Sequence, residues 1–238
     1  MSATTHQEGA LTVPFPKASV GRKLLVSLSG LFLVVFLVVH LGVNLTLYAG
    51  RDTYNTAAHW MATNPAILAM RPLLASIVLL HLVVSTWLWA RNLKARPQRY
   101  EVVDPAGGST WAARNMLVLG ALILLFLALH IPTFSLRLAY GSPPMTELEG
   151  RMVKDVFALV TASFGVWWYA GLYFTAIVLL GLHLSHGFQS ALQTLGLSDA
   201  RWRRRWTVLG NVYALVVAAG FASLPLYFFV QAQMGNTP

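Results

Sequence analysis

Five stretches of this chain stay apolar for longer than the about 20 residues that a helix needs to cross a hydrocarbon core. They run over roughly 24–48, 66–90, 114–139, 156–188 and 207–232. Lipid offers backbone N–H and C=O groups no partner, so each stretch has to close its own hydrogen bonds as a helix. The expected fold is all-α: a single membrane domain, an integral bundle of five transmembrane helices behind a polar N-terminal tail at 1–20. The fourth stretch is the longest and is expected to begin as an interfacial segment near Met152. Composition agrees, since 56% of the residues are hydrophobic and 11% charged, where soluble domains carry about 25% charge.

The net charge of +9 sits mainly in the connections. One side of the bundle would carry Lys17, Arg22, Lys23, Arg91, Lys94, Arg96, Arg99, Arg114, Arg201, Arg203, Arg204 and Arg205. The other would carry Arg51, Arg71, Arg137, Arg151 and Lys154, offset by Asp52, Glu147, Glu149 and Asp155. Cytoplasmic loops hold the excess of Lys and Arg, so the N-terminus is expected in the cytoplasm and the C-terminus outside. On this reading the basic excess marks cytoplasmic loops and the lipid surface, and no nucleic acid is expected. The tail contains Pro14 and Pro16 and lacks a short apolar segment with a small-residue cleavage site, so it reads as a cytoplasmic lead-in and not as a signal peptide. The absence of cysteine excludes disulfides, Cys-ligated iron–sulfur clusters and covalently attached c-type haem.

Histidines give the chemistry. His6 lies in the tail and His59 in the first external connection, while His40, His81, His130, His183 and His186 fall inside expected spans. A lone helix histidine more often hydrogen-bonds to a neighbouring helix than binds a metal. Here the first four spans each carry at least one, and ionisable groups at membrane depth are rare and usually functional. His40 is 17 residues beyond Lys23 and His130 is 16 beyond Arg114, which places both about 25 Å from the cytoplasmic charges. His81, 10 residues before Arg91, is about 15 Å from them, and His183 lies near the cytoplasmic end of its span. The histidines thus sort into an outer pair, His40 with His130, and an inner pair, His81 with His183. Diagonal helices of a four-helix core can clamp a planar ligand between them. Haem iron takes two imidazoles from opposite sides, and with both axial positions filled electron transfer is what remains. Zinc would want three or four ligands converging on one point. Copper more often recruits Met or Cys, and Met61, Met70 and Met116 are not grouped with the histidines.

The stretches LSGLFLVVFLVVHLGVNL (28–45) and HLSHGFQSALQTLG (183–196) resemble the cytochrome b membrane anchor of succinate dehydrogenase and fumarate reductase. The closest likeness is to the single-chain, five-helix, two-haem type, over roughly residues 20–232. The resemblance implies haem b at two sites, with His81 and His183 as axial ligands of the cytoplasmic-side haem and His40 and His130 of the external-side haem. His183 is the first histidine of the H-x-x-H-G pattern. His186 would hydrogen-bond a propionate, cap the helix end, or lie at the surface. Ser27 matches a helix-embedded serine of the family, 13 residues before the first ligand, and would contact a propionate. Gly30 and Gly120 each lie 10 residues before a ligand and admit either a flat macrocycle or close helix packing. Arg91 and Arg114, at the cytoplasmic ends of their spans, are counted among the cofactor-binding residues. The family implies a bacterial cytoplasmic membrane, a flavoprotein subunit and an iron–sulfur subunit that hold the FAD and the clusters, and a membrane quinone, by type menaquinone, as electron acceptor. The anchor itself would carry no catalytic residue and would be part of a succinate dehydrogenase complex; a higher oligomer of that complex stays open.

Two departures from the family touch proton handling. Some relatives carry a glutamate two residues before the fourth-helix ligand, where this chain has Gly181, and another near the quinone, where the connection YAGRDTYNTAAHWMATNP (48–65) has none. Asp52 and His59 are substitutes by location only. A quinone pocket is expected near the external haem, lined by Tyr54, His59, Trp60 and Asn64, with His59 as proton donor by type. The alternatives are a cytoplasmic-side pocket, with His59 and Trp60 merely anchoring the interface. Two rival functions remain: the cytochrome b of another quinone-linked complex, such as formate dehydrogenase or hydrogenase, and a haemless proton-coupled transporter. The latter calls for membrane-embedded carboxylates, of which the spans hold essentially none.

Overall fold

The computed structural model describes residues 19–95 and 111–235. The chain runs through α1 (Ser19–Leu45), a 3-10 turn (Thr46–Ala49), α2 (Arg51–Thr63) and α3 (Pro65–Ala95), then α4 (Trp111–Arg114) and α5 (Met116–His130). A π-helical turn (Ile131–Leu136) and α6 (Arg137–Tyr140) extend α5. An antiparallel hairpin, β1 (Met145–Leu148) with β2 (Arg151–Lys154), precedes α7 (Val156–Phe164), α8 (Trp167–Thr194) and α9 (Arg203–Gln233). Among the described residues five helical segments are long and apolar enough to cross a membrane: Val20–Ala49, Pro65–Ala95, Met116–Tyr140, Trp167–Thr194 and Arg203–Gln233. The protein is an all-α, multi-pass membrane protein. His6, Lys17, Arg96 and Arg99 lie outside the described residues.

The fourth span differs from the sequence expectation. The stretch 156–188 is not one helix; it breaks at Gly165 and Val166 into α7 and α8, and α8 alone is the span. A continuous helix from 156 to 194 would be about 58 Å long, nearly twice the about 30 Å of hydrocarbon. Met152 does not open a helix either, but lies in β2. The hairpin turns on Glu149 (φ 51°) and Gly150 (φ 75°); two consecutive positive φ values are the signature of a type I′ turn, which matches strand twist.

Four of the spanning helices form a ring. α1 packs against α3 and α8, and α5 packs against α8 and touches α3. α1 therefore stands diagonally across from α5, and α3 from α8. α9 lies outside the ring against α8 and α1. α3 is the least covered, with no buried residue. At one end, here the arginine-rich end, are Arg22, Lys23, Arg91, Lys94, Arg114 and Arg201–Arg205. The other is the hairpin end.

The α8–α9 seam depends on small residues. A Cβ on Gly181 would lie 2.9 Å from the Ala218 Cβ, and one on Gly210 would lie 2.8 Å from Phe188 Cδ1. Small residues let helix backbones approach closely where the lipid adds no hydrophobic drive. The hairpin end is fastened by a polar node. Asp155, 3% exposed, caps α7 by accepting from Ala158 N–H at 3.0 Å. The same Oδ1 accepts from Asn55 Nδ2 at 2.9 Å, and Asn55, fully buried, accepts in turn from Phe157 N–H at 3.0 Å. Arg51 reaches Asp155 Oδ2 at 3.3 Å. Around the node Leu47, Tyr54, Phe157, Phe164, Tyr169, Tyr173 and Phe228 pack as one cluster.

Candidate functional site

The ring brings the span histidines to two levels. Near the hairpin end, His40 of α1 and His130 of α5 meet across one diagonal, their ring centroids 5.9 Å apart and their planes nearly perpendicular. The second level is fixed by their own helices. Ser29 and Gly30 on α1 touch His81 of α3: Ser29 Oγ is 3.0 Å from Nδ1, and a Cβ on Gly30 would lie 3.3 Å from Cε1. On α5, a Cβ at Gly120 would lie 3.9 Å from Cε1 of His183 on α8. Gly30 and Gly120 each precede their helix's histidine by ten residues, so the levels are about 15 Å apart. His81 belongs to α3 and His183 to α8, the helices that stand across the ring from each other. The second pair thus belongs to the other diagonal.

Local hydrogen bonds decide what each ring can offer. Ser29 Oγ donates to the Val26 carbonyl at 3.0 Å. A hydroxyl has one hydrogen, so with that hydrogen on the Val26 carbonyl Ser29 Oγ accepts from His81 Nδ1. His81 Nε2 is then the nitrogen with a lone pair. His130 Nδ1 is 3.1 Å from Tyr173 Oη, which is 3.0 Å from Tyr169 Oη. Asn44 Nδ2 donates to the His40 carbonyl at 2.8 Å and lies 3.4 Å from its Nδ1. His183 Nδ1 is buried without a partner. The outer pair is walled by aromatic rings: Phe36 and Phe221 at 5.3 and 5.4 Å from His40, Phe126 and Phe134 at 5.4 and 5.5 Å from His130.

Ser29 was missed by sequence reasoning, which chose Ser27. Ser27 is also buried, at 7% exposure. Helical spacing distinguishes them: 11 residues before His40 leaves Ser29 about 20° from its face, whereas 13 residues leaves Ser27 about 140° away. Arg91 lies with its guanidinium 5.4 Å from the Trp87 ring, which also carries Arg22 at 4.1 Å. Arg114 ends α4 and is exposed. His186 is half-buried one turn beyond His183.

The connection expected to line a quinone pocket is the helix α2, and its residues point apart. Tyr54 is buried against Phe157, and burial pushes its phenol up to about 12. Asn64 lies between α2 and α3, its Oδ1 accepting from Ala66 N–H at 3.0 Å. His59 and Trp60 are exposed. Trp60 lines an open groove of about 680 Å³ with Asp52, Thr53, Thr56, Glu147 and Glu149. Tyr54, His59 and Asn64 are not in its lining. Gly181, where some relatives of the resembled family carry a glutamate, faces Ala218 of α9 with no room for a side chain.

No family model matches the chain, and comparison with curated proteins and with solved structures gives no match.

Proposed function

We propose that this chain is the two-haem cytochrome b anchor of a succinate:quinone oxidoreductase, receiving electrons from an iron–sulfur subunit and passing them to a membrane quinone. The observation that carries the reading is the sorting of His40 with His130 and His81 with His183 onto the two diagonals of the ring, at two levels. The residues fit haem. His40 and His130, with ring centres 5.9 Å apart, would hold the outer group between them, a separation of the size that two imidazole nitrogens bonded to one metal at about 2 Å each would need. With Nδ1 of His81 turned to Ser29, its Nε2 is left to ligate, and the His183 ring has no hydrogen-bond partner at Nδ1 that would compete with a ligand for it. Gly30 and Gly120 keep the backbone beside the inner rings clear of side chains.

When bound, haem supplies one-electron redox chemistry. The chain's own residues hold the two sites and fix the imidazole rings. They also surround the outer site with aromatic side chains that exclude water. The arginine-rich end faces the cytoplasm on this reading, by the positive-inside rule, and its basic connections offer a docking face to the iron–sulfur subunit. The groove beside Trp60, on the opposite face, would offer a quinone ring both aromatic and polar groups.

Purified protein is expected to hold two low-spin, bis-imidazole haems. His81→Ala and His183→Ala should each remove one spectral component, and His40→Ala and His130→Ala the other. A single haem, a high-spin spectrum, or four variants that fail to sort into these two pairs would refute the assignment. Membranes should yield the chain together with a flavoprotein and an iron–sulfur protein.

A further inference from the structure

The four paired histidines are held in four different ways. Nδ1 of His81 meets a serine hydroxyl at 3.0 Å, Nδ1 of His40 has an amide at 3.4 Å, and Nδ1 of His183 has no hydrogen-bond partner. Nδ1 of His130 meets a phenol, Tyr173 Oη at 3.1 Å, and that phenol meets another, Tyr169 Oη at 3.0 Å. Both tyrosines are on α8, one turn apart, and both are buried, at 3% and 7% exposure. Phe126, Phe134 and Phe164 pack around Tyr173 at 4.9, 6.2 and 5.2 Å, so the ring cannot swing away. A hydrogen bond in such dry surroundings is electrostatically stronger than one in water.

We infer, resting on the function proposed above, that Tyr173 backed by Tyr169 is a positioning pair that holds His130 for ligation and sets the potential of the outer haem apart from the inner one. The hydrogen count sets the direction of the contact. A histidine that ligates through Nε2 keeps its hydrogen on Nδ1, so Nδ1 donates and Tyr173 Oη accepts. Tyr173 then sends its own hydrogen to Tyr169 Oη, and the chain runs outward from His130. Without metal the same three groups are satisfied in the opposite direction, Tyr169 to Tyr173 to Nδ1. The pair therefore meets His130 in either tautomer, and in the ligating one it polarises the ring. A second group that accepts from a ligating histidine raises the basicity of the ligand, which favours ferric iron and lowers the potential.

Tyr173→Phe keeps the ring and removes the oxygen. In a redox titration of purified, haem-loaded full-length protein, followed by visible absorption, this variant should retain both haems and raise one midpoint potential. The component that moves should be the one that His130→Ala removes, with the other unchanged. Tyr169→Phe should shift the same component in the same direction by less, since it lies one bond further out, and it carries the test if Tyr173→Phe loses the outer haem. Unchanged potentials in both variants, a shift of the inner component, or equal shifts of both would overturn the inference. Wild-type protein that binds no haem would instead sink the proposed function itself, so the two failures are distinguishable.

Discussion

Replacing Asp155 by alanine tests how the hairpin end is fastened. The carboxylate is 3% exposed, and Oδ1 takes two donors, Asn55 Nδ2 at 2.9 Å and Ala158 N–H at 3.0 Å. Alanine leaves the fully buried Asn55 amide unpaired, which costs about 1–3 kcal/mol. Loss of the cap on α7 adds about 1 kcal/mol. The Arg51 pair adds only about 0–1 kcal/mol, because Arg51 is 43% exposed. The sum is about 2–5 kcal/mol. Asp155→Asn keeps an acceptor for both donors but turns an NH2 in place of the second carboxylate oxygen toward Arg51, which is half exposed and able to turn to solvent, so its cost should be about 1 kcal/mol. Chemical unfolding of the detergent-solubilised protein, read through Trp fluorescence, measures both. If asparagine costs as much as alanine, the charge and not the pair of hydrogen bonds holds the node, and the reasoning fails.

Tyr54 ties stability to alkaline pH. Its phenol is neutral in the fold up to about 12, against about 10 in an unfolded chain. The stability from its burial is complete below pH 10 and is lost as pH rises from 10 to 12, by about 3 kcal/mol; Tyr54→Phe should flatten that part of the curve in thermal melts between pH 9 and 12. Gly30→Val would drive a branched side chain into the His81 ring, already 3.3 Å from a simple Cβ, and should remove the spectral component that His81→Ala removes while sparing the other. His186→Ala should keep both haems, since the ring is half-buried one turn beyond His183; loss of a haem there with retention in His183→Ala would exchange their roles.

The spanning helices were legible because a bilayer fixes the length of an apolar run, and helix ends at Pro65, Ala95, Arg203 and Gln233 lie within a few residues of where hydropathy put them. Hydropathy does not register a change of direction inside an apolar run, so the break at Gly165 and Val166 was invisible to it. α2 was equally hidden. Its sequence is slightly polar on average, and only the buried neighbours Tyr54 and Asn55 mark its inner face. The two histidine levels were readable as depth along a helix, a single coordinate that counting residues supplies. The groups around the rings were harder, because Tyr173, Tyr169 and Asn44 reach them from directions that a linear count does not carry. Ser29 was the exception, accessible through its 11-residue spacing from His40.

The closeness of Gly181 to Ala218 also constrains the order in which the sequence can change. Alanine at 181 alone would place two methyl groups 2.9 Å apart, so α9 has to shift or the seam loosens. Ala218 is already the smallest residue that has a side chain. The route to any larger residue at 181 therefore passes first through glycine at 218, and the two substitutions depend on sequence history. A chain that changes position 181 first meets a barrier, and one that changes 218 first meets a gentle slope. The order is measurable as a coupling energy: Gly181→Ala should destabilise the wild-type background and be nearly neutral in Ala218→Gly.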